Sequence, residues 1–334
     1  MDKLMDKILG TLYGMAVGDA MGMPPELWSR KKTKEAYPYI DTFLNGNPQN
    51  VISYQYQPGQ FTDDTGQALV VLDSLIANDF QVNKADLANR LIAWAKKENA
   101  FEMNILGPTS RQVLAAIING VDPVKLPSSA TTNGAAMRIA PVGTLFTPQQ
   151  SRQLCRYTAS ICAVTHSSDI AIASACMIAM AVSSALAYAD REQMIRDALS
   201  VEQYALSLGA STPTPSIGVR TRWAVEQAGL LKDRPEAFYD ELYYMVGAST
   251  AASESTACAL AMAYYHFDVC KCAKACAVLG GDTDTIGAMA TAICGAAHGL
   301  SSFPTGWQEK ISQANDVDLS GYAKLLYERH GKLA

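Results

Sequence analysis

Positive charge is scarce in this sequence: 27 Lys and Arg stand against 32 Asp and Glu, a formal net charge of −5. Nucleic-acid binders present a basic patch or stripe. Here the basic residues are scattered, and the one short cluster, RKKTK at 30–34, reads as a solvated loop. Nucleic acid is therefore excluded as a partner. A secretory signal is missing too. The opening MDKLMDKILG carries charges and leads directly into a helical pattern, so a cytoplasmic location is expected. The eight cysteines include no C-x2-C pair. CKCAKAC at 270–276 has neither the spacing nor the second pair of a zinc site and reads as a buried helix. Cys162, Cys176, Cys258 and Cys294 sit in Ala-rich apolar runs, as small buried hydrophobes of a reducing compartment do. A strongly apolar span is also lacking. Residues 170–189 carry no charge and have the length of a membrane helix. They are mostly Ala with several Ser, and Asp169 and Asp190 flank them. A buried helix of an all-helical protein fits this stretch, and no membrane partner is expected.

Strand alternation is nearly absent, with NVISYQY at 50–56 the best short candidate. No repeat and no long linker divides the chain. Helical patterns dominate instead. They are expected at about 3–17, 65–78, 84–98, 108–119, 149–163, 168–188, 191–208, 217–228, 235–245, 253–265, 269–277, 285–298 and 319–328. Gly10, Gly14, Gly18 and Gly22 recur every four residues. On a helix they form a smooth stripe that another helix can approach closely. With half of its residues hydrophobic, the 334-residue chain can build a sizeable core. Residues 1–334 are expected to form one helical domain, the simplest way to bring distant polar motifs together.

Four stretches carry those motifs. In GMAVGDAMGMPPELW, Asp19 lies near the end of the Gly-striped helix and Glu26 follows on a Pro-restricted loop. In QFTDDTGQAL, Thr62, Asp63 and Asp64 precede an amphipathic helix. N-capping needs one such side chain, and acids also suit the helix dipole. Capping does not explain three consecutive oxygen-bearing side chains followed by Thr65. LGGDTDTIGAMA at 279–290 places Asp282, Asp284 and Thr285 behind a Gly-Gly pair. In a regular helix residues 282 and 284 point about 200° apart. Gly280 and Gly281 permit a non-helical backbone that lets both acids turn to one target. Two helix starts would then supply an all-oxygen cluster whose buried charges need a partner. A hard divalent cation, Mg2+ or Mn2+, suits it, and two would balance four charges better than one. Two separate capping arrangements remain the alternative. Last, TTNGAAMRIAPVG at 131–143 contains a small-residue turn that either receives an anion on its N–H groups or simply packs. VTHSSDIA places His166 before the uncharged helix, as a capping or packing residue or as a ligand.

Taken together, GDAMGMPPE, FTDDTGQAL, NGAAMRIAPVG, THSSDIA and GGDTDTIGAMATAICGA resemble, in this order, the ADP-ribosylglycohydrolase family. That family includes the dinitrogenase-reductase-activating glycohydrolases and the ADP-ribosyl-acceptor hydrolases. The resemblance implies an all-α fold, a single orthogonal helical bundle, with two divalent cations, Mg2+ or Mn2+. The implied metal ligands are Thr62, Asp63, Asp64, Asp282, Asp284 and Thr285. Glu26 lies at the metal edge. Asn133, Gly134, Ala135, Ala136 and Met137 correspond to the turn that holds the substrate's diphosphate, and His166 faces the cleft. One departure is that the family's DIG-x-TT stretch reads MNILGPTSRQ here, with Asn104 nearest to the missing acid. Asn is no general base, so the substrate can be smaller than an ADP-ribosylated protein.

The implied reaction is hydrolysis of a glycosidic bond to ribose. Metals hold the ribose hydroxyls and a water, Glu26 or Asp63 accepts the water's proton, and the transition state resembles an oxocarbenium ion. Removal of ADP-ribose from a protein or small acceptor comes first. Hydrolysis of a free nucleoside or related riboside is the alternative, and a two-metal phosphatase or pyrophosphatase uses similar ligands. A binding or structural role fits poorly with a full ligand set.

Overall fold

The computed structural model describes residues 2–103, 105–121 and 129–333. In chain order the helices are α1 (Lys3–Gly22), α2 (Arg30–Ala36), α3 (Asp63–Ala77), α4 (Lys84–Lys97), α5 (Pro108–Ile118), α6 (Ala140–Gly143), α7 (Ser151–Cys162), α8 (Asp169–Tyr188), α9 (Arg191–Ser200), α10 (Glu202–Leu206), α11 (Ile217–Leu230), α12 (Pro235–Glu241), α13 (Ala252–His266), α14 (Val269–Ala277), α15 (Thr283–His298), α16 (Trp307–Asn315) and α17 (Leu319–Arg329). Among the described residues there is no sheet, only three isolated bridges. The fold is all-α, as the helical periodicity requires.

The middle of the molecule is built from α1, α8, α13 and α15, whose small residues let backbones approach. The glycine stripe of α1 lies against α15, running antiparallel. A Cβ added at Gly10 would meet the Gly295 carbonyl, at Gly14 that of Thr291, at Gly18 that of Gly287 and at Gly22 that of Thr283. Gly287 and Gly295 answer from the other side, against Gly18 and Gly10. A four-residue glycine period on one helix thus meets small residues at the same period on its partner. All four α1 glycines serve this seam. The Thr283 hydroxyl closes it by donating to the Gly22 carbonyl at 2.7 Å.

The uncharged stretch forms α8, buried from Ile170 to Leu186. It is long and apolar enough to cross a membrane, yet 94% of its most apolar window is buried against other helices. Lys7 donates from Nζ to the Leu186 carbonyl at 2.6 Å, satisfying a carbonyl at the end of α8. CKCAKAC lies on α14, with Cys272 and Cys276 buried.

Several expectations need correction. RKKTK is no solvated loop. It opens α2, and Arg30 is among the most buried side chains of the molecule. NVISYQY is a run of turns rather than a strand. Its Ser53 donates to the Pro24 carbonyl instead of pairing in a ladder. The helix expected over 191–208 breaks at Val201 into α9 and α10, and α12 ends at Glu241 in a π-turn, Leu242–Val246. α16 and the short α6 were not foreseen.

Candidate metal centre and substrate cleft

The N-terminus of α3 is capped from outside. Thr62 makes no cap with its own side chain. The Thr62 N–H and hydroxyl both donate to Asp19 Oδ1 at 2.8 Å. The Thr65 N–H and hydroxyl donate to Asp19 Oδ2 at 3.0 and 2.6 Å. One carboxylate from α1 therefore takes the capping task, which frees Asp63 and Asp64 for other work. At α15 the N-cap Asp282 likewise makes no side-chain cap bond. The Thr285 N–H donates to Asp284 Oδ1 at 2.9 Å.

The turn before α15 is held by three elements. Gly280 and Gly281 have φ of +85° and +80°, a region that favours glycine. The Gly281 N–H donates to the Trp28 carbonyl at 2.7 Å and the Leu27 N–H to the Gly281 carbonyl at 2.8 Å. The Asp282 N–H donates to the Ala248 carbonyl at 2.7 Å. Arg30 grips the same turn: Nη1 donates to the Leu279 carbonyl at 3.1 Å, while Nε pairs with Asp240 at 2.6 Å. These bonds aim Asp282 and Asp284 back toward α3.

The result is a dense set of acids. Carboxylate oxygens of Asp19, Asp64 and Asp284 lie within 4.8 Å of one another, and so do those of Glu26, Asp282 and Asp284. The two groups share Asp284. The Thr62 oxygen stands 3.3 Å from Asp64 Oδ2 and 3.5 Å from Asp284 Oδ2. Asp63 lines the same cleft but belongs to neither triad, and its Oδ2 accepts from Gln67 Nε2 at 2.9 Å. Thr285 also lines the cleft.

Burial first, then mutual repulsion, shifts these groups upward. Burial raises Asp63 to about 8, with Asp19 and Asp282 adding to it. Burial pushes Asp64 and Asp284 well above the usual carboxylate range, each with help from the other acids. Glu26 is raised well above its usual value by burial and by Asp282, Asp63 and Asp64. Asp19 and Asp282 reach only about 6, because hydrogen bonds from Thr65 and Thr62, and from Asn133, offset their burial. Asp64 Oδ1 is buried with no hydrogen-bond partner. Buried carboxylates at this density, one oxygen orphaned, fit a hard divalent cation.

The cleft above the acids has a volume of about 220 Å³. Its other wall holds Asn133, Gly134, Met137 and His166. Asn133 Nδ2 donates to Asp282 Oδ2 at 2.5 Å, so this residue also supports the acidic side. Ala135 and Ala136 face the core. A Cβ on Gly134 would come within 2.9 Å of His166 Nε2, so the turn must be small where it meets that ring. His166 is 1% exposed and burial drives it down to about 3, leaving it neutral. Asn104 lies outside the described residues; Ile105, Leu106 and Pro108 beside it line the cleft.

A family model described as ADP-ribosylglycohydrolase matches residues 1–333. The chain belongs to the ADP-ribosylglycohydrolase family. It is 38% identical over 322 residues to the uncharacterized protein YegU of Escherichia coli K12, covering 96% of each chain. It is 25% identical to the ADP-ribosyl-[dinitrogen reductase] glycohydrolase of Rhodospirillum rubrum, covering 92% of this chain and 90% of that one. A solved ADP-ribosylglycohydrolase-related protein complex superposes with a TM-score of 0.73 at 23% identity, covering 98% of this chain and 99% of that one, which shows the shared fold. Membership of the ADP-ribosylglycohydrolase family makes the chain a hydrolase of a glycosidic bond, in a metal-dependent family, and the acidic groups are where a metal can sit.

Two residues of this candidate site escaped the sequence reading. Asp19 was noticed but given no ligand role, because its partners Thr62 and Thr65 are remote in the chain. Tyr56 stands near the acids: its phenol is pushed up by burial first, then by Asp63 and Glu26. It lies in the stretch taken for a strand, and nothing local marked it.

Proposed function

We propose that the protein is a metal-dependent hydrolase that removes ADP-ribose from a protein or small acceptor by cleaving the glycosidic bond to ribose. The observation that carries this reading is the pair of buried carboxylate triads sharing Asp284 at the floor of a cleft. Two cations, Mg2+ or Mn2+, are proposed there. Thr62, Asp63, Asp64, Asp282, Asp284 and Thr285 are the proposed ligands, and Asp19 completes the set. When bound, such cations polarise a water and bind ribose hydroxyls.

The chain's own residues do the rest. Glu26 sits on the loop after α1 at the cleft wall and accepts the proton of the attacking water, a role in which Asp63 is the second candidate. Ionised acids around the anomeric carbon stabilise positive charge in an oxocarbenium-like transition state. Asn133, Gly134 and Met137 form the wall on which the substrate rests, with the Ala135–Ala136 backbone behind them. Neutral His166 donates to the substrate rather than titrating. The proposed location is the cytoplasm, in line with eight free cysteines of which seven are buried.

One observation favours a second reading. Among the described residues no Lys or Arg lines the cleft. A phosphate-free riboside such as a nucleoside is therefore the alternative substrate. Incubating the protein and Mn2+ or Mg2+ with ADP-ribosyl-arginine, ADP-ribosyl-serine, ADP-ribose and a nucleoside panel separates the two. Free acceptor and ADP-ribose are the expected products. Release of base from nucleosides alone would favour the second reading, and release of AMP or phosphate alone would defeat both.

A further inference from the structure

Arg138 is buried behind the cleft and is 1% exposed. Among the described residues it forms no ion pair with an acid. Its two arms run instead to two neutral side chains. Nη1 donates to Gln67 Oε1 at 2.6 Å and Nη2 donates to Thr165 Oγ1 at 2.5 Å. Each neighbour then reaches the cleft. Gln67 Nε2 donates to Asp63 Oδ2 at 2.9 Å. The Thr165 oxygen lies 2.8 Å from His166 Nδ1, and His166 Nε2 lies 3.2 Å from the Thr132 oxygen.

Donor and acceptor roles along these chains follow from counting protons. A guanidinium only donates. The Gln67 amide must therefore turn its oxygen to Arg138 and its NH2 to Asp63. The Thr165 hydroxyl accepts from Arg138 and has one proton left to give. The acceptor in reach among the described residues is His166 Nδ1. If His166 carried its proton on Nδ1 instead, the Thr165 hydroxyl, in a residue 6% exposed, would lose its acceptor, a costly arrangement. With Nδ1 accepting, the ring's proton lies on Nε2. The Thr132 hydroxyl accepts it and passes its own proton toward Thr109, whose oxygen is 2.9 Å away.

We propose that Arg138 is a positioning residue that sets the hydrogen-bond polarity of both cleft walls. Through Gln67 it presents an amide donor to Asp63, and through the Thr165 hydroxyl it locks the His166 proton on Nε2, where the Thr132 hydroxyl accepts it and a bound substrate can take that acceptor's place. A direct Arg138–Asp63 ion pair would occupy a carboxylate that the site needs. The intervening amide steadies Asp63 through one oxygen without an ion pair. The proposal rests on the ribosyl-hydrolase reading only for what His166 meets in the cleft; the tautomer itself is independent of it.

Long-range 15N–1H spectra of 15N-histidine-labelled protein read the tautomer without substrate, with His166→Gln assigning the signal among four histidines. The wild type is expected to show Nε2–H. Thr165→Val, which keeps the side chain's shape, is expected to shift the signal toward Nδ1–H or a mixture, and Thr165→Ser to restore it. Wild-type Nδ1–H, or a Thr165→Val spectrum identical to wild type, overturns the proposal. Titration with ADP-ribose gives the second readout: Thr165→Val and Arg138→Lys are expected to weaken binding up to about tenfold, the effect of one hydrogen bond, with Thr165→Ser near wild type. Equal binding by wild type and Thr165→Val overturns the His166 arm. If wild type fails to bind ADP-ribose while the spectra behave as expected, the substrate reading fails and the relay stands.

Discussion

The two ends of the α1–α15 pair follow opposite rules. Along the seam, Gly10 to Gly22 press on small residues of α15 and backbone nearly touches backbone. At the end of the seam, within one turn of Gly22, Asp19 and Asp284 join a group of buried acids that repel one another. The seam is stable by close packing. The charges of the site destabilise it, and the rigid seam, with the Arg30-held turn and the threonine bonds to Asp19, keeps the acids from moving apart. Strain at a functional end is thus carried by an unusually tight non-functional one.

Substitutions can break this contrast from either side. The largest effect is expected for Asp284→Asn, which removes the acid common to both triads. Hydrolysis should fall on the order of 10³-fold, since metal-centred charge stabilisation contributes several kcal/mol. The cation-free protein should at the same time melt higher at pH 8, because one repelling carboxylate is gone. Undiminished turnover, measured with saturating Mn2+, would sink the shared-ligand assignment.

The seam should respond in the reverse sense. Gly18→Val drives a side chain into the Gly287 backbone, which has no room to yield. A loss of about 3 kcal/mol or more is expected from overpacking, visible in denaturant melts and not rescued by added cation. A loss within error of zero would mean that the helices separate easily and that the seam is not what holds the acids together.

The smallest effect concerns pH and sharpens the contrast without mutation. The ordinary Asp value is 3.8, whereas Asp19 and Asp282 titrate at about 6 and Asp63 at about 8 in the fold. Between these values the folded state keeps protons that the unfolded chain has lost. The stabilisation is full below the unfolded value and is lost as pH rises through about 6 and then about 8. Chelator-treated protein should therefore melt lower at pH 8 than at pH 5. Mn2+ should raise the midpoint more at pH 8, where the ligands ionise at less cost. A flat or rising midpoint without cation would contradict the buried-acid account.

Much of this was legible along the chain. Helix starts at Asp63 and Thr283, the Gly-Gly turn and the four-residue glycine period are local patterns, and local patterns govern backbone conformation directly. Excess oxygen-bearing side chains at both starts exposed the acid cluster. Arg30 shows where such reading fails. Its charged neighbours Lys31, Lys32 and Lys34 make the stretch look solvated, yet Asp240 and the Leu279 carbonyl, far along the chain, draw it inside. Asp19 fails for the same reason.

By itself, then, the sequence determined most of the helical segments, which faces are smooth enough to pack without a gap, and where oxygen-bearing side chains crowd two helix starts. These are properties of neighbours three or four residues apart. The tertiary structure alone decided that Gly22 meets Thr283, that Asp19 caps a helix other than its own, and that Asp284 stands in both acid groups. A charge or a hydrogen-bond donor has no local preference for its partner. That choice is made by which surfaces come together when the core closes.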